Sequence, residues 1–297
     1  MSQIRPGILV IALILSASAF SQSLLFSHLN AGDGLSDNNV RSVTIDKNGF
    51  LWMGTNQGLN RYDGYNVSVF EKDHYPELAS NTILHLFTDS RNCVWAGTGT
   101  GANWLDEKRE FHRVTILDTL TSFYCPTIFE TKRYGIVLFT NHGHFYYDST
   151  RWKWTKIGQI PAAIEQEAFL DAEPFSDNQI IFTMDSLVAL YDYATEKILY
   201  QQSFFRPVTA CLLEGNEIAI GLQTGQVLIA DIKENRIVRS YQLTHELDGK
   251  LINTYLSEVR RASNGDLVVA TDYAGLVTID RNGNISRYTH DPLKSGT

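Results

Sequence analysis

Short turns rich in amide, carboxylate and hydroxyl groups are the part of this sequence best equipped to meet a ligand. Asp37-Asn38-Asn39, Asn56-Gln57, Ser80-Asn81, Thr100, Asn141-His142, Gln223-Thr224 and Asp272-Tyr273 each concentrate hydrogen-bonding groups on a few residues. Such groups suit a neutral polyol held by many hydrogen bonds. They are also habitual turn formers, so each turn carries a second, purely architectural reading. Asn141-His-Gly-His144 sets two imidazoles on one side of an extended segment, as a metal site would need. No third ligand can be named, and no metal or cofactor is expected. Asp46-Lys-Asn-Gly49 and Asp280-Arg-Asn-Gly283 lack the later ligands of a calcium loop and read as turns.

These turns must be held by something regular, and the sequence shows what. Asp46-Lys-Asn-Gly-Phe-Leu-Trp-Met-Gly-Thr-Asn-Gln-Gly-Leu-Asn-Arg-Tyr-Asp63 is echoed 43 residues later by Asp89-Ser-Arg-Asn-Cys-Val-Trp-Ala-Gly-Thr-Gly-Thr-Gly-Ala-Asn-Trp-Leu-Asp106. A period in the forties with several short strands per unit marks a β-propeller blade. The expected fold is all-β, a propeller of four-stranded blades, with six blades present and a seventh missing or incomplete. Blades one, two, five and six have clear strands. Blades three to five depart from the pattern, blade three losing the tryptophan and blade four placing Ser186 where the glycine stood. One helical turn is expected near Ala162 to Ala168.

The repeat also reassigns some tempting residues. Trp52 and Trp95 could stack on sugar rings, but at identical mid-strand positions they read as packing between blades. Tyr146-Tyr147 and Tyr191-Asp-Tyr193 read as half-buried strand residues. Thr44-Ile-Asp-Lys-Asn-Gly-Phe-Leu-Trp52 resembles the Asp-box of sialidase propellers with one residue too many between Asp46 and Trp52. No nucleophilic tyrosine and arginine cluster accompanies it, which argues against glycoside cleavage.

The 297 residues are 43% hydrophobic and 20% charged, an ordinary globular composition. A net charge of −8 with scattered Lys and Arg argues against nucleic acid and anionic lipid as partners. Residues 1–21 read as a secretory signal: Arg5, an apolar run from Ile8 to Leu15, then small residues at Ala19 and Ser21 before cleavage. The run is shorter than the roughly 20 residues of a spanning helix. Cys93, Cys125 and Cys211 are an odd set without CxxC spacing; Cys93 and Cys211 read as small buried hydrophobes. Residues 22–33 read as a spare strand for ring closure, 34–291 as blades one to six, and 292–297 as the start of a seventh blade or a linker.

Val40 to Asp63 resembles the blade of the two-component regulator propeller family: an inner strand, Asp, Gly, Leu-Trp-Met-Gly-Thr, Gly-Leu, then Tyr-Asp. Phe26-Ser-His-Leu-Asn-Ala-Gly-Asp-Gly-Leu-Ser36 resembles the start of the periplasmic sensor of Bacteroidetes hybrid two-component systems. The resemblance is strong over Phe26 to Asp106, recognisable over Ala262 to Thr297, and weak between. It implies two seven-bladed propellers, a small β-sandwich, a membrane helix and a histidine kinase, in a protein that detects oligosaccharides and can form a homodimer. None of the eight histidines here has a phosphoacceptor context. The chain is therefore expected to be a fragment or truncated frame that binds without phosphorylating. Its expected place is the periplasm. An exported lyase-like propeller resembling the streptogramin-cleaving enzymes, and a protein-binding scaffold, are the alternatives.

Overall fold

The computed structural model describes residues 29–288, apart from 107, 118–119, 121, 158–160, 162–163, 165–168, 248 and 273–274. The expected signal, most of the spare strand, the end of the chain and nearly all of the helical turn near residue 165 lie outside the described residues.

Six four-stranded antiparallel sheets follow one another along the chain. Blade one is β1 (Val40–Ile45), β2 (Leu51–Thr55), β3 (Leu59–Tyr62) and β4 (Val67–Phe70). Blade two is β5 (Ile83–Thr88), β6 (Val94–Thr98), β7 (Gly101–Leu105) and β8 (Phe111–Arg113). Blade three is β9 (Thr127–Thr131), β10 (Gly135–Thr140), β11 (Gly143–Asp148) and β12 (Lys153–Lys156). Blade four is β13 (Phe169–Ser176), β14 (Gln179–Met184), β15 (Leu187–Asp192) and β16 (Lys197–Ser203). Blade five is β17 (Pro207–Leu212), β18 (Glu217–Leu222), β19 (Gln226–Asp231) and β20 (Arg236–Gln242). A hairpin, β21 (Thr244–Leu247) and β22 (Lys250–Asn253), precedes blade six: β23 (Leu256–Arg261), β24 (Leu267–Thr271), β25 (Leu276–Ile279) and β26 (Ile285–Tyr288). This is the all-β propeller that the repeat predicts.

The inner strands touch in sequence, β1 with β5, β5 with β9, β9 with β13, β13 with β17 and β17 with β23. Apolar clusters fill each blade boundary, the first built on Trp52, Leu59, Ile83 and Val94 and the next on Trp95, Cys125, Ile128 and Leu138. All three cysteines are buried. Val43 shows where the stack ends. Its counterparts Leu86, Ile128, Ala172, Ala210 and Val259 are 0–8% exposed, whereas Val43 is 58% exposed. Among the described residues, the flank of blade one that would meet a preceding blade is open.

Local chemistry explains the repeat. Asp46 Oδ1 accepts the backbone N–H groups of Asn48 and Phe50, and its Oδ2 accepts Trp52 Nε1 at 3.0 Å. Asp89 does the same for Arg91, Cys93 and Trp95. The aspartate therefore ties turn to tryptophan as in an Asp-box, despite the extra residue. Gly49 (φ 84°) and Asn92 (φ 70°) take the left-handed position of that turn, which few other residues tolerate.

Asn60 and Asn103 are a second repeated device. Both are fully buried. Asn103 accepts the Ala79 N–H at 2.8 Å and donates to the Glu77 carbonyl at 2.7 Å; Asn60 accepts the Ser36 N–H at 2.9 Å and donates to Ser36 Oγ. Each asparagine pins the loop leading into its own blade. Asn103→Ala should lower stability by about 2 kcal/mol, since the buried Ala79 N–H and the Glu77 carbonyl lose their partner. An unchanged urea midpoint would show that the loop docks without it.

Candidate functional site

The turns singled out in the sequence gather at the end of the blades where the inner strands begin. There the β2–β3 turn of a blade is tied to the start of its inner strand: Gln223 N–H bonds to the Arg206 carbonyl, Asn141 N–H to that of Tyr124, and Asp272 N–H to that of Tyr255. Side chains repeat the tie. Asn56 Oδ1 accepts Arg41 Nε at 2.5 Å, Asn141 Oδ1 the Tyr124 N–H at 2.8 Å, Gln223 Oε1 Arg206 Nη1 at 3.1 Å, and Asp272 Oδ1 Ser257 Oγ at 2.6 Å. Asp37 caps the Asn39 N–H, Asn38 accepts the Ala31 N–H, and Asn81 accepts the Lys72 N–H. Gln57 and His142 each donate their backbone N–H to a threonine, Thr55 and Thr140. Tyr273 lies outside the described residues.

An axial cavity of about 640 Å³ lies between the inner strands, and its wall draws on all six blades. None of the turn residues above lines it. Five of its polar lining residues come from one repeated position, to which Arg41, Glu173, Ser257 and Arg260 add; Thr209 holds that position in blade five without lining the cavity. Ser42, His85, Thr127, Asp171, Thr209 and Glu258 occupy equivalent places, one per blade, opposite Gly54, Gly97, Phe139, Thr183, Gly221 and Ala270. In five of the six blades a β-bulge immediately precedes this residue. A bulge re-aims side chains and leaves a ladder group unpaired. In blade two the preceding blade supplies a partner, Ser42 Oγ accepting the Leu86 N–H at 2.9 Å; in blade three, which has no such bulge, His85 Nδ1 likewise accepts the Ile128 N–H at 3.3 Å. Burial pushes the His85 imidazole down to about 4, so it is neutral at pH 7 and its proton sits on Nε2.

The far side of the ring is charged. Arg260 lies 2.6 Å from Glu258 and 3.4 Å from both Asp171 and Glu173; Thr209 donates to Asp171 at 3.0 Å. Burial opposes the guanidinium charge, but Asp171, Glu258 and Glu173 outweigh it and hold Arg260 protonated. Burial, then the Asp171 charge, pushes Glu258 up to about 7; burial also raises Glu173. Because the folded value of Glu258 exceeds the ordinary 4.5, this group costs stability as pH rises from that value through 7. Glu258→Gln should therefore flatten the decline in urea midpoint between pH 5 and pH 8. Identical slopes in the two proteins would remove Glu258 as its source.

Sequence reasoning looked to the turns and missed this ring. The signal was present as Glu258-Val-Arg260 and Asp171-Ala-Glu173, charged residues in strands that are otherwise apolar. The two candidate histidines are separated in role. His142 is exposed at a turn, while His144 is 1% exposed and bonds Tyr193 Oη through Nδ1 at 2.6 Å. Burial lowers the His144 imidazole to about 3. Among the described residues, the group of three side chains close enough to share a metal ion is Asp106, Glu110 and His112, on the outer side of blade two.

Known proteins resemble this chain in part. The family model for the two component regulator propeller matches residues 34–57, so that segment carries the repeat. Histidine kinase P4 of Formosa agariphila is 34% identical over 61 residues, 20% of this chain and 4% of that protein. The extracellular domain of a protein assigned to the hybrid two component systems of B. thetaiotaomicron superposes with a TM-score of 0.69 at 19% identity, over 89% of this chain and 37% of that one. Virginiamycin B lyase from Staphylococcus aureus gives a TM-score of 0.60 at 12% identity, over 84% of each chain. At such identities the structural likeness is one of fold. This chain spans well under half the length of the sensor proteins it resembles.

Proposed function

We propose that this chain is an exported, ligand-sensing β-propeller belonging to a two-component signal transduction protein, and that it responds to an oligosaccharide. The observation that carries the reading is the regulator-propeller repeat at residues 34–57, on a fold shared with an extracellular sensor domain. The similarity to a histidine kinase supports a longer protein with membrane and kinase parts outside this chain, one that would sit in the inner membrane with this part in the periplasm. In that protein the propeller could pair as a homodimer. The segment itself binds rather than catalyses.

Asp37, Asn38, Asn39, Asn56, Gln57, Asn81, Asn141, His142, Gln223, Asp272 and Tyr273 would form the rim through which a ligand approaches the axial cavity. Several of their side chains already tie turns together, so recognition there would use the remaining lone pairs and N–H groups. The lyase alternative shares the fold. However, among the described residues the three side chains able to share a metal ion sit on the outer side of blade two, away from the axial cavity. Calorimetry of the complete sensor region against an oligosaccharide panel tests the reading. Saturable binding, with a change in phosphorylation of the intact protein, supports it. Absence of binding across the panel would sink it and leave the protein-binding scaffold.

A further inference from the structure

The charged arc of the axial ring has more acceptors than the protein satisfies. Asp171, Glu173 and Glu258 bring three carboxylates to a single guanidinium, Arg260. Arg41, at the other side of the cavity, is engaged with Asn56. Asp171 Oδ2 accepts from Thr209 and Arg260, whereas Glu173 Oε2 and Glu258 Oε1 meet Arg260 as ion pairs, and the buried Glu258 Oε1 has no hydrogen-bond donor among the described residues. The second oxygen of each carboxylate receives no described hydrogen bond. A carboxylate offers about four lone-pair positions. The arc is therefore acceptor-rich, donor-poor and net negative.

An independent observation comes from blade three. Thr127 lines the same cavity and is 1% exposed, yet its Oγ1 has no hydrogen-bond partner. Its equivalents Ser42 and His85 both serve the backbone of the next blade. A buried hydroxyl without a partner is costly, and a ligand group is one way to satisfy it. Apolar wall from Leu86, Ile128 and Val208 completes the cavity. The guanidinium pairs with all three carboxylates. What remains open to a guest is the outward side of those carboxylates.

We propose that the axial cavity binds a small ligand through a protonated amine seated against Asp171, Glu173 and Glu258, with the Thr127 hydroxyl taking a neighbouring polar group. For a carbohydrate ligand this means an amino sugar with a free amine. The site deepens the sensing reading and rests on it for the saccharide, but not for the amine. Burial first, and the neighbouring carboxylates after it, raise Glu173 and Glu258, and a bound cation would offset the carboxylate part. The other titratable or charged groups facing Glu258 around the cavity are Arg41 of β1, His85 of β5, Asp171 and Glu173 of β13, Cys211 of β17 and Arg260 of β23 itself. Of these, His85 is held near 4 and Cys211 near 12, leaving Glu258 as the group to ionise around neutrality.

Calorimetry of the full chain would compare the β-1,4 glucosamine disaccharide, its di-N-acetyl form, cellobiose, a galacturonic acid disaccharide and 1,5-diaminopentane. The expected result is at least tenfold tighter binding of the glucosamine disaccharide than of the acetylated and neutral sugars. Its affinity should rise from pH 5 to pH 6, where the carboxylates gain charge while the sugar amine stays protonated, and should fall again above neutrality as the amine loses its proton. Glu173→Gln and Glu258→Gln should each erase the preference while melting as cooperatively as the parent chain, and Thr127→Val should weaken the amino sugar with no loss of that melt. If cellobiose or the uronic acid binds equally well, the amine site is overturned and saccharide sensing survives. If diaminopentane alone binds, with the same dependence on Glu173 and Glu258, the amine site stands and the saccharide reading falls. If nothing binds, the amine site is overturned.

Discussion

Trp52→Ala is expected to lower stability by about 3–5 kcal/mol, a drop in melting temperature on the order of 10 °C for a domain of this size. Trp52 is 1% exposed at the boundary of blades one and two and stacks on Phe70 at 5.7 Å. Its removal leaves a cavity walled by neighbouring blades, which cannot collapse without moving two sheets. It also strips Asp46 Oδ2 of its indole donor at 3.0 Å. Trp95→Ala should cost a similar amount, because Trp95 stacks on Trp104 at 5.7 Å and bonds Asp89 in the same way. The two tryptophans lie in separate clusters, so the double variant should be close to the sum of the singles. Thermal and urea denaturation check both. A loss below about 1 kcal/mol would mean that the tryptophans are not the packing elements of their blade boundaries.

Gly97→Ala should destabilise nearly as strongly, by about 3 kcal/mol, at the upper end of what overpacking costs. A Cβ at Gly97 would stand 2.4 Å from the carbonyl oxygen of Cys125, and a backbone atom in a packed blade boundary cannot swing aside. Two residues on, Gly99 offers the control. A Cβ there has its nearest neighbour at 3.9 Å and the backbone is not left-handed. Gly99→Ala should be neutral or stabilise by up to about 1 kcal/mol by reducing the freedom of the unfolded chain. Equal effects at the two glycines would refute the close-approach argument.

The repeat made the fold legible because its consensus residues do architectural work. Asp46, Trp52, Gly54 and Thr55 form a turn, a packing plug, a close approach and a bond to Gly58, and each recurs in blade two. Blade four was hardest to read. Its inner strand Phe169–Ser176 contains two carboxylates and Pro174, with bulges at both ends, so its alternation is scrambled. That is also why Asp171 and Glu173 went unnoticed. The hairpin Thr244–Asn253 was missed because nothing in the blade pattern calls for it. Candidate binding residues were read from turn chemistry, which locates the loops correctly but is blind to a ring formed by one position from each of six distant segments. The bulge adds to this blindness, because it shifts side-chain parity inside the strand.

Neighbouring blades are joined largely by bonds in which one side is main chain. Ser42 and His85 serve amides of the next blade, while the amides of Lys47, Ser90 and Arg133 are met by Asn92, Glu130 and Asn178 of the blade that follows. A main-chain N–H is present whatever residue other than proline occupies that place. Such a joint is indifferent to substitution on its receiving side. Blades could then drift apart in sequence, as the third and fourth have, while keeping their seats, and a ring assembled this way leaves its axial positions free to be rewritten one blade at a time for new ligands.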